Sequence, residues 1–175
     1  AKVNSLVDPE IISLLYEASQ TGVPVKLVVR GICCLIPGLE GISENITVIS
    51  IVGQLLEHSR IFKFENSGNP KIYMGSADWM PRNLDRRIEL VFPVEDEKLK
   101  QRGFQILDTL LSDNTNARMM QPDTSYQHVS RRGRAACSSQ LTFYRIAQER
   151  LKEKQQVQQD SPLIPIHSAE EAGNS

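Results

Sequence analysis

The residue types able to do chemistry concentrate between Arg30 and Glu89. The densest part reads His58-Ser59-Arg60, then Glu65, then Gly75-Ser76-Ala77-Asp78-Trp79-Met80-Pro81-Arg82-Asn83-Leu84-Asp85-Arg86-Arg87-Ile88-Glu89. His58 and Arg60 share strand parity, so both side chains leave the same side of an extended segment. An imidazole beside a guanidinium suits phosphate chemistry. The guanidinium binds charged oxygens through paired, charge-assisted hydrogen bonds, and the imidazole takes or gives a proton near neutral pH. Gly75-Ser76 supplies close backbone approach and a hydroxyl, both common where a phosphate sits. Arg30 ends an apolar run, so its charge must find an anion, either a carboxylate such as Glu89 or a ligand. Plainer readings stand beside these. His58 after Glu57 fits a surface or core-satisfied histidine, Arg82 to Glu89 fits a solvated ion-pair network, and Trp79 and Met80 fit core or interface positions.

The elements that must position these residues alternate between helix and strand. Asp8-Pro9-Glu10 is a helix start: a side-chain cap, a proline preset for the first turn and an acid favoured by the dipole. Ile11, Leu14, Leu15 and Ala18 follow on one face, and Gly22 is a stop signal. Strands are predicted at Val25 to Arg30, Ile46 to Ile51, Arg60 to Phe64, Lys71 to Met74 and Ile88 to Phe92. The turn Asn66-Ser67-Gly68-Asn69-Pro70 makes the third and fourth a hairpin, so the sheet is mixed. After Pro93 a helix carries Leu99, Ile106, Leu107 and Leu110. Arg118 to Ser139 reads as a long surface connection bearing Arg131, Arg132 and Arg134. A last helix is predicted from about Gln140 to Lys154, with Tyr144, Ala147 and Leu151 aligned. The fold class is thus α/β, a mixed sheet flanked by helices in a single domain over residues 1–155, with 156–175 a flexible, Gln-rich and acidic tail.

Composition narrows the function classes. The chain has 175 residues, 20 Lys and Arg against 21 Asp and Glu, and a formal net charge of -1. That excludes a uniformly basic protein held on nucleic acid by bulk charge, so any anion site is local. No stretch approaches the roughly 20 apolar residues that span a bilayer. The amino terminus carries neither a secretory signal nor an initiator Met, which reads as a fragment. Cys33, Cys34 and Cys137 offer no Cys-x-x-Cys spacing, so neither a disulfide framework nor a structural zinc site is expected, and Cys33 and Cys34 read as buried packing. A reducing cytoplasm is the expected compartment.

The His58-x-Arg60-x4-Glu65 and Gly75-Ser76-Ala77-Asp78 strings resemble the His-x-Lys-x4-Asp and Gly-Ser-x-Asn signature of the phospholipase D superfamily, with Arg, Glu and Asp at the departures. Val29 to Leu35, Ser43 to Ile46, Ser50 to Gly53, Leu56 to Arg60 and Ser76 to Arg87 together resemble the carboxy-terminal domain of polyphosphate kinases, over about residues 2 to 155. The resemblance implies a phospholipase D-like fold and a part in reversible transfer of the ATP terminal phosphate onto inorganic polyphosphate. It also implies a phosphohistidine carried by the preceding domain and a homo-oligomer in the full enzyme. Mg²⁺ would be held mainly by ATP and the other domains, with no metal ligands in this chain. Arg30 and His58 stand at positions that contact nucleotide phosphates in the family, with His58 the partner histidine and not the covalent one. Arg60, Ser76, Asp78 and Arg82 lie in the motif without an assigned role. A peripheral attachment to the inner membrane face goes with the cytoplasmic placement.

Two other classes fit the residues. One is a phospholipase D-like phosphodiesterase or nuclease half-site that dimerises to bring two histidines together. The other is a non-catalytic polyanion-binding domain using Arg131, Arg132 and Arg134.

Overall fold

The computed structural model describes residues 1–160. The chain divides into two compact units after Thr142, and the whole sheet lies in the first. The strands are β1 (Lys2–Val3), β2 (Val25–Val29), β3 (Ile46–Ile51), β4 (Ile61–Phe64), β5 (Lys71–Gly75), β6 (Val91–Pro93), β7 (Ala117–Met120) and β8 (Tyr126–His128). The helices are α1 (Pro9–Gln20), α2 (Pro81–Arg86), α3 (Glu97–Leu111) and α4 (Ser139–Asp160). Helix α4 runs past the expected end at Lys154, and the rest of the expected tail, 161–175, lies outside the described residues.

The eight strands form one sheet in the order β6-β5-β4-β1-β2-β3-β7-β8. Strands β1, β2 and β3 are parallel, while β4, β5 and β6 on one flank and β7 and β8 on the other pair antiparallel. The mixed sheet flanked by helices is the expected architecture, and the β4–β5 hairpin falls where the Asn66 to Pro70 turn placed it. Ser67 and Gly68 take positive φ in that turn.

Both faces of the central strands are covered, which is why they read as near-continuous β-branched runs. Ile11, Ile12, Leu15 and Tyr16 of α1 pack on Val3, Leu27, Val29, Ile46, Val48 and Phe62. Phe104 and Leu107 of α3 pack with Ile61 and Ile72. Adjacent residues Ile61 and Phe62 therefore serve opposite faces, the period of two made visible. The α1 start is as read: Asp8 caps the Ile11 amide at 2.9 Å, and Pro9 opens the helix.

Several expectations need correction. Leu14 and Leu99 are exposed, because the packing stripes run through Ile12, Tyr16 and Ser19 in α1 and through Gly103, Leu107 and Leu110 in α3. Tyr144 and Leu151 of α4 are likewise exposed. The edge strand is Val91–Pro93, not Ile88 to Phe92. Cys34 is exposed, and only Cys33 packs against the core. The stretch read as a surface connection contains the β7–β8 hairpin, closed by Gln121 to Ser125 with the Gln121 amide donating to Ser125 at 2.8 Å.

The junction of α3, β7 and α4 is organised by Asp113, which is buried. One carboxylate oxygen accepts from the Thr115, Asn116 and Ala117 amides, and the other accepts from the Ser139 amide and hydroxyl. Burial alone would raise its pKa. These five donors outweigh burial and hold the carboxyl below its ordinary 3.8.

Candidate functional site

Topology brings the motif residues to one end of the sheet. Parallel β1 and β2 finish there, antiparallel β4 begins there, and β5, antiparallel to β4, finishes there. Asn4 and Ser5 leave β1, Arg30 leaves β2, His58 and Arg60 lead into β4, and Ser76 and Asp78 leave β5. Such strand ends are where α/β sheets bind ligands. Helix α2, started by Pro81, adds Arg82 and Asn83, and the segment after it adds Arg87 and Glu89. Together these residues line a cavity of about 360 Å³. All six sequence-predicted residues, Arg30, His58, Arg60, Ser76, Asp78 and Arg82, face it.

Close backbone approach shapes the rim. The Ser76 amide donates to the Leu90 carbonyl at 2.9 Å, and a Cβ on Gly75 would stand 2.6 Å from that same oxygen. Only glycine lets β5 run this close to the 88–90 segment. Ser76 Oγ then donates to Glu89 Oε2 in a short hydrogen bond and accepts from the Leu90 amide at 3.1 Å. Asn83 Nδ2 donates to Glu89 Oε1 at 2.6 Å. The hydroxyl of Ser76 and then the amide of Asn83 hold the Glu89 carboxyl below its ordinary value.

Arg60 joins the two halves of the motif. Its Nε and Nη2 donate to the two oxygens of Asp78 at 3.2 and 2.8 Å, a bidentate fork. Asp78 Oδ1 also accepts from the Asn4 and Ser5 amides, at 2.7 and 3.3 Å. Burial would raise the Asp78 pKa; the Arg60 hydrogen bonds and the Asn4 amide overcome it and set it below 3.8. Arg60 Nη1 lies 2.8 Å from His58 Nδ1 and 2.9 Å from the His58 carbonyl. A guanidinium has no acceptor, so Nδ1 must be the lone-pair nitrogen and the proton of the neutral ring sits on Nε2. The ring is thereby assigned as an Nε2–H donor.

Arg30 departs from one expectation. Glu89 is bound to Ser76 and Asn83, and no carboxylate pairs with Arg30 among the described residues. Its Nε is buried without a hydrogen-bond partner, as are both side-chain polar atoms of Asn4 and Oδ1 of Asn83. All of these residues line the same cavity. Buried polar groups of a folded chain are nearly all satisfied, so their clustering here marks a place built for a polar ligand.

Asn4, Ser5 and Asn83 were not singled out from the sequence. Asn83 sits in the same string as Arg82, one residue along a turn that Pro81 opens, and that proline was the available signal. Asn4 and Ser5 follow a strand too short to show periodicity. Arg131, Arg132 and Arg134 do not line the cavity; Arg134 donates to the Ser130 and Arg131 carbonyls in a turn where Arg132 and Gly133 take positive φ.

The family model for the polyphosphate kinase C-terminal domain 2 matches residues 1–140. The chain belongs to that family. It is 51% identical over 151 residues to a polyphosphate kinase of Lactiplantibacillus plantarum, covering 86% of this chain and 21% of the relative. With the polyphosphate kinase of Pseudomonas aeruginosa it shares 59% identity over 133 residues, 76% of this chain and 19% of the relative. The crystal structure of polyphosphate kinase from Porphyromonas gingivalis superposes with a TM-score of 0.82 at 38% identity, over 87% of this chain and 23% of that one. This polyphosphate kinase domain thus spans about a fifth of the length of the curated relatives it matches.

A resident metal is not what its cavity fits. Both carboxylates there are committed, Asp78 to Arg60 and two backbone amides, Glu89 to Ser76 and Asn83. Mg²⁺ is usually bound through carboxylates and substrate phosphates, and the unpaired oxygens left here, Oδ1 of Asn4 and of Asn83, are neutral amide oxygens.

Proposed function

We propose that this domain supplies the phosphate-binding half of a polyphosphate kinase active site, in which the ATP terminal phosphate passes to inorganic polyphosphate through a phosphohistidine on the preceding domain. The observation that carries this is one cavity holding an uncompensated Arg30, a His58 set as an Nε2–H donor, and carboxylates already bound by internal partners.

Phosphoryl transfer spreads negative charge over equatorial oxygens, and fixed donors that need no reorganisation give most of the help. Arg30 clamps that charge. Arg82 and Arg87 line the same cavity and form no salt bridge among the described residues, which adds positive field. Arg60 is already spent on Asp78 and serves to orient His58. His58 donates through Nε2 to the transferring phosphate or to the leaving ADP oxygen. A covalent role would need the Nε2 lone pair, which the Arg60 contact at Nδ1 disfavours. The same point weighs against the dimeric phosphodiesterase reading, where this histidine would be the nucleophile. Mg²⁺ enters with ATP.

The test uses a full-length polyphosphate kinase carrying this chain as its C-terminal domain. His58→Ala should lower polyphosphate synthesis by about 10²-fold or more, the usual weight of a fixed hydrogen-bond donor to transition-state charge, with the thermal midpoint kept. Arg30→Met should cost about 10²- to 10³-fold. Wild-type-like synthesis by the His58 variant would remove it from the mechanism. The isolated chain should take no acid-labile, base-stable label from γ-labelled ATP, and appearance of such label would contradict the placement of the phosphohistidine elsewhere.

A further inference from the structure

We propose that Lys2 is a positioning residue for His58: its ammonium clamps the backbone on both sides of that histidine. This rests on the reading of His58 as a hydrogen-bond donor to phosphate.

Lys2 has no accessible surface, an unusual place for a lysine. Its Nζ donates to the carbonyls of Val3, Glu57 and Ser59, each at 3.2 Å. An ammonium has three N–H donors, so each is matched to one carbonyl. Two of those carbonyls belong to the residues immediately before and after His58. Residues 56–59 form neither helix nor strand, so no ladder fixes the backbone on either side of His58. The Lys2 side chain does that work from β1, and Arg60 fixes the ring from the other side through Nδ1 and the His58 carbonyl. The imidazole is held by two cations with separate tasks, one setting where the backbone lies and the other setting which nitrogen carries the proton.

Burial pushes the Lys2 pKa down to about 8. Glu57 and Asp78 raise it and Arg30 and Arg60 lower it, so charges of both signs surround the ammonium. Loss of its proton leaves two N–H donors for three carbonyls and frees one side of the His58 segment. Stability moves the other way. The folded state gives up the proton more readily than the unfolded chain, so the charged form is the costlier one to bury, and stability rises as pH climbs from about 8 toward the ordinary 10.5. A merely structural lysine would follow only that rise. A positioning lysine loses rate over the same range.

The experiment again uses full-length enzyme. In wild type, kcat/KM for ATP should show an alkaline limb near pH 8. Lys2→Met should lower kcat for polyphosphate synthesis by about 10- to 10²-fold, the cost of a misplaced catalytic group, with KM for ATP changed less than about threefold. It should also abolish the alkaline limb, and its thermal midpoint should fall because the carbonyls of Val3, Glu57 and Ser59 each lose a donor. If His58→Ala is inactive while Lys2→Met keeps wild-type kcat and the same limb, the Lys2 proposal fails alone. Should His58→Ala be fully active, the reading of the site fails instead. If Lys2→Met does not fold, the wild-type profile decides: constant kcat/KM from about pH 7 to about pH 9 overturns the clamp.

Discussion

Replacing Asp78 by Asn gives the sharpest test of how the site is held. The Arg60–Asp78 pair is nearly enclosed, with side-chain exposures of 11% and 7%. Breaking a buried pair from one side leaves an uncompensated charge and costs about 3–5 kcal/mol. Asn retains one oxygen able to accept from the Asn4 and Ser5 amides, which places the expected loss near the bottom of that range, about 3 kcal/mol. For a chain of this size that is a fall in Tm of roughly 6–12 °C. Scanning calorimetry of wild type, Asp78→Asn, Arg60→Met and the double variant Arg60→Met/Asp78→Asn reads it directly. The double variant buries no lone charge, so it should lose less than the two single losses summed. The Asp78 carboxyl is held below 3.8 in the folded state, so its stabilisation is complete above that value and fades as pH falls below it. The gap between wild type and Asp78→Asn should close over that acid range. A Tm drop under about 2 °C, or strict additivity of the double variant, would refute the account.

Three other outcomes follow from the packing. Gly75→Ala should destabilise by about 1–3 kcal/mol, because the new Cβ meets the Leu90 carbonyl, a backbone atom that cannot swing aside. Gly103→Ala, whose Cβ meets only the Cδ1 tip of Ile72, should fall within about 1 kcal/mol of wild type, since the gain in helix preference offsets a rotamer change; urea unfolding compares the two. Asp113→Asn should lose about 3 kcal/mol, because its new amide turns a donor toward donors at the α3–β7–α4 junction, and in wild type this contribution is lost as pH falls below 3.8, read by acid unfolding.

Much of the site was legible because its chemistry is local in sequence. His58, Arg60, Ser76 and Asp78 fall within two short strings; β4 begins only at Ile61, so it is the Arg60 contact with the His58 ring, not strand parity, that holds the first two together. The hairpin between them was legible from five turn residues. What the sequence did not reveal depends on contacts far along the chain. Nothing near Lys2 in the sequence points to the carbonyls of residues 57 and 59 that it meets. Asp113 likewise takes its partner from Ser139, 26 residues further on. The β7–β8 hairpin carries a local signal: Pro122-Asp123 suits the centre of a turn, flanked by Met119-Met120 and Tyr126. Of the two kinds of anion expected for Arg30, a carboxylate such as Glu89 or a ligand, Glu89 is not its partner: charge sign says which groups can meet, while the Gly75 approach to Leu90 brings Glu89 to Ser76.

Strand β1 is two residues long, yet it is the strand that hydrogen-bonds to both β4 and β2. Along that seam the sheet is two pieces, β6-β5-β4 on one side and β2-β3-β7-β8 on the other. His58, Arg60, Ser76 and Asp78 ride on the first piece and Arg30 on the second. The gap between Arg30 and His58 is therefore gauged across β1 and its continuation through Leu6, which bridges to Cys33 on one side and Trp79 on the other. Substitutions along residues 2–6 should alter the span of the cavity as well as the stability of the sheet.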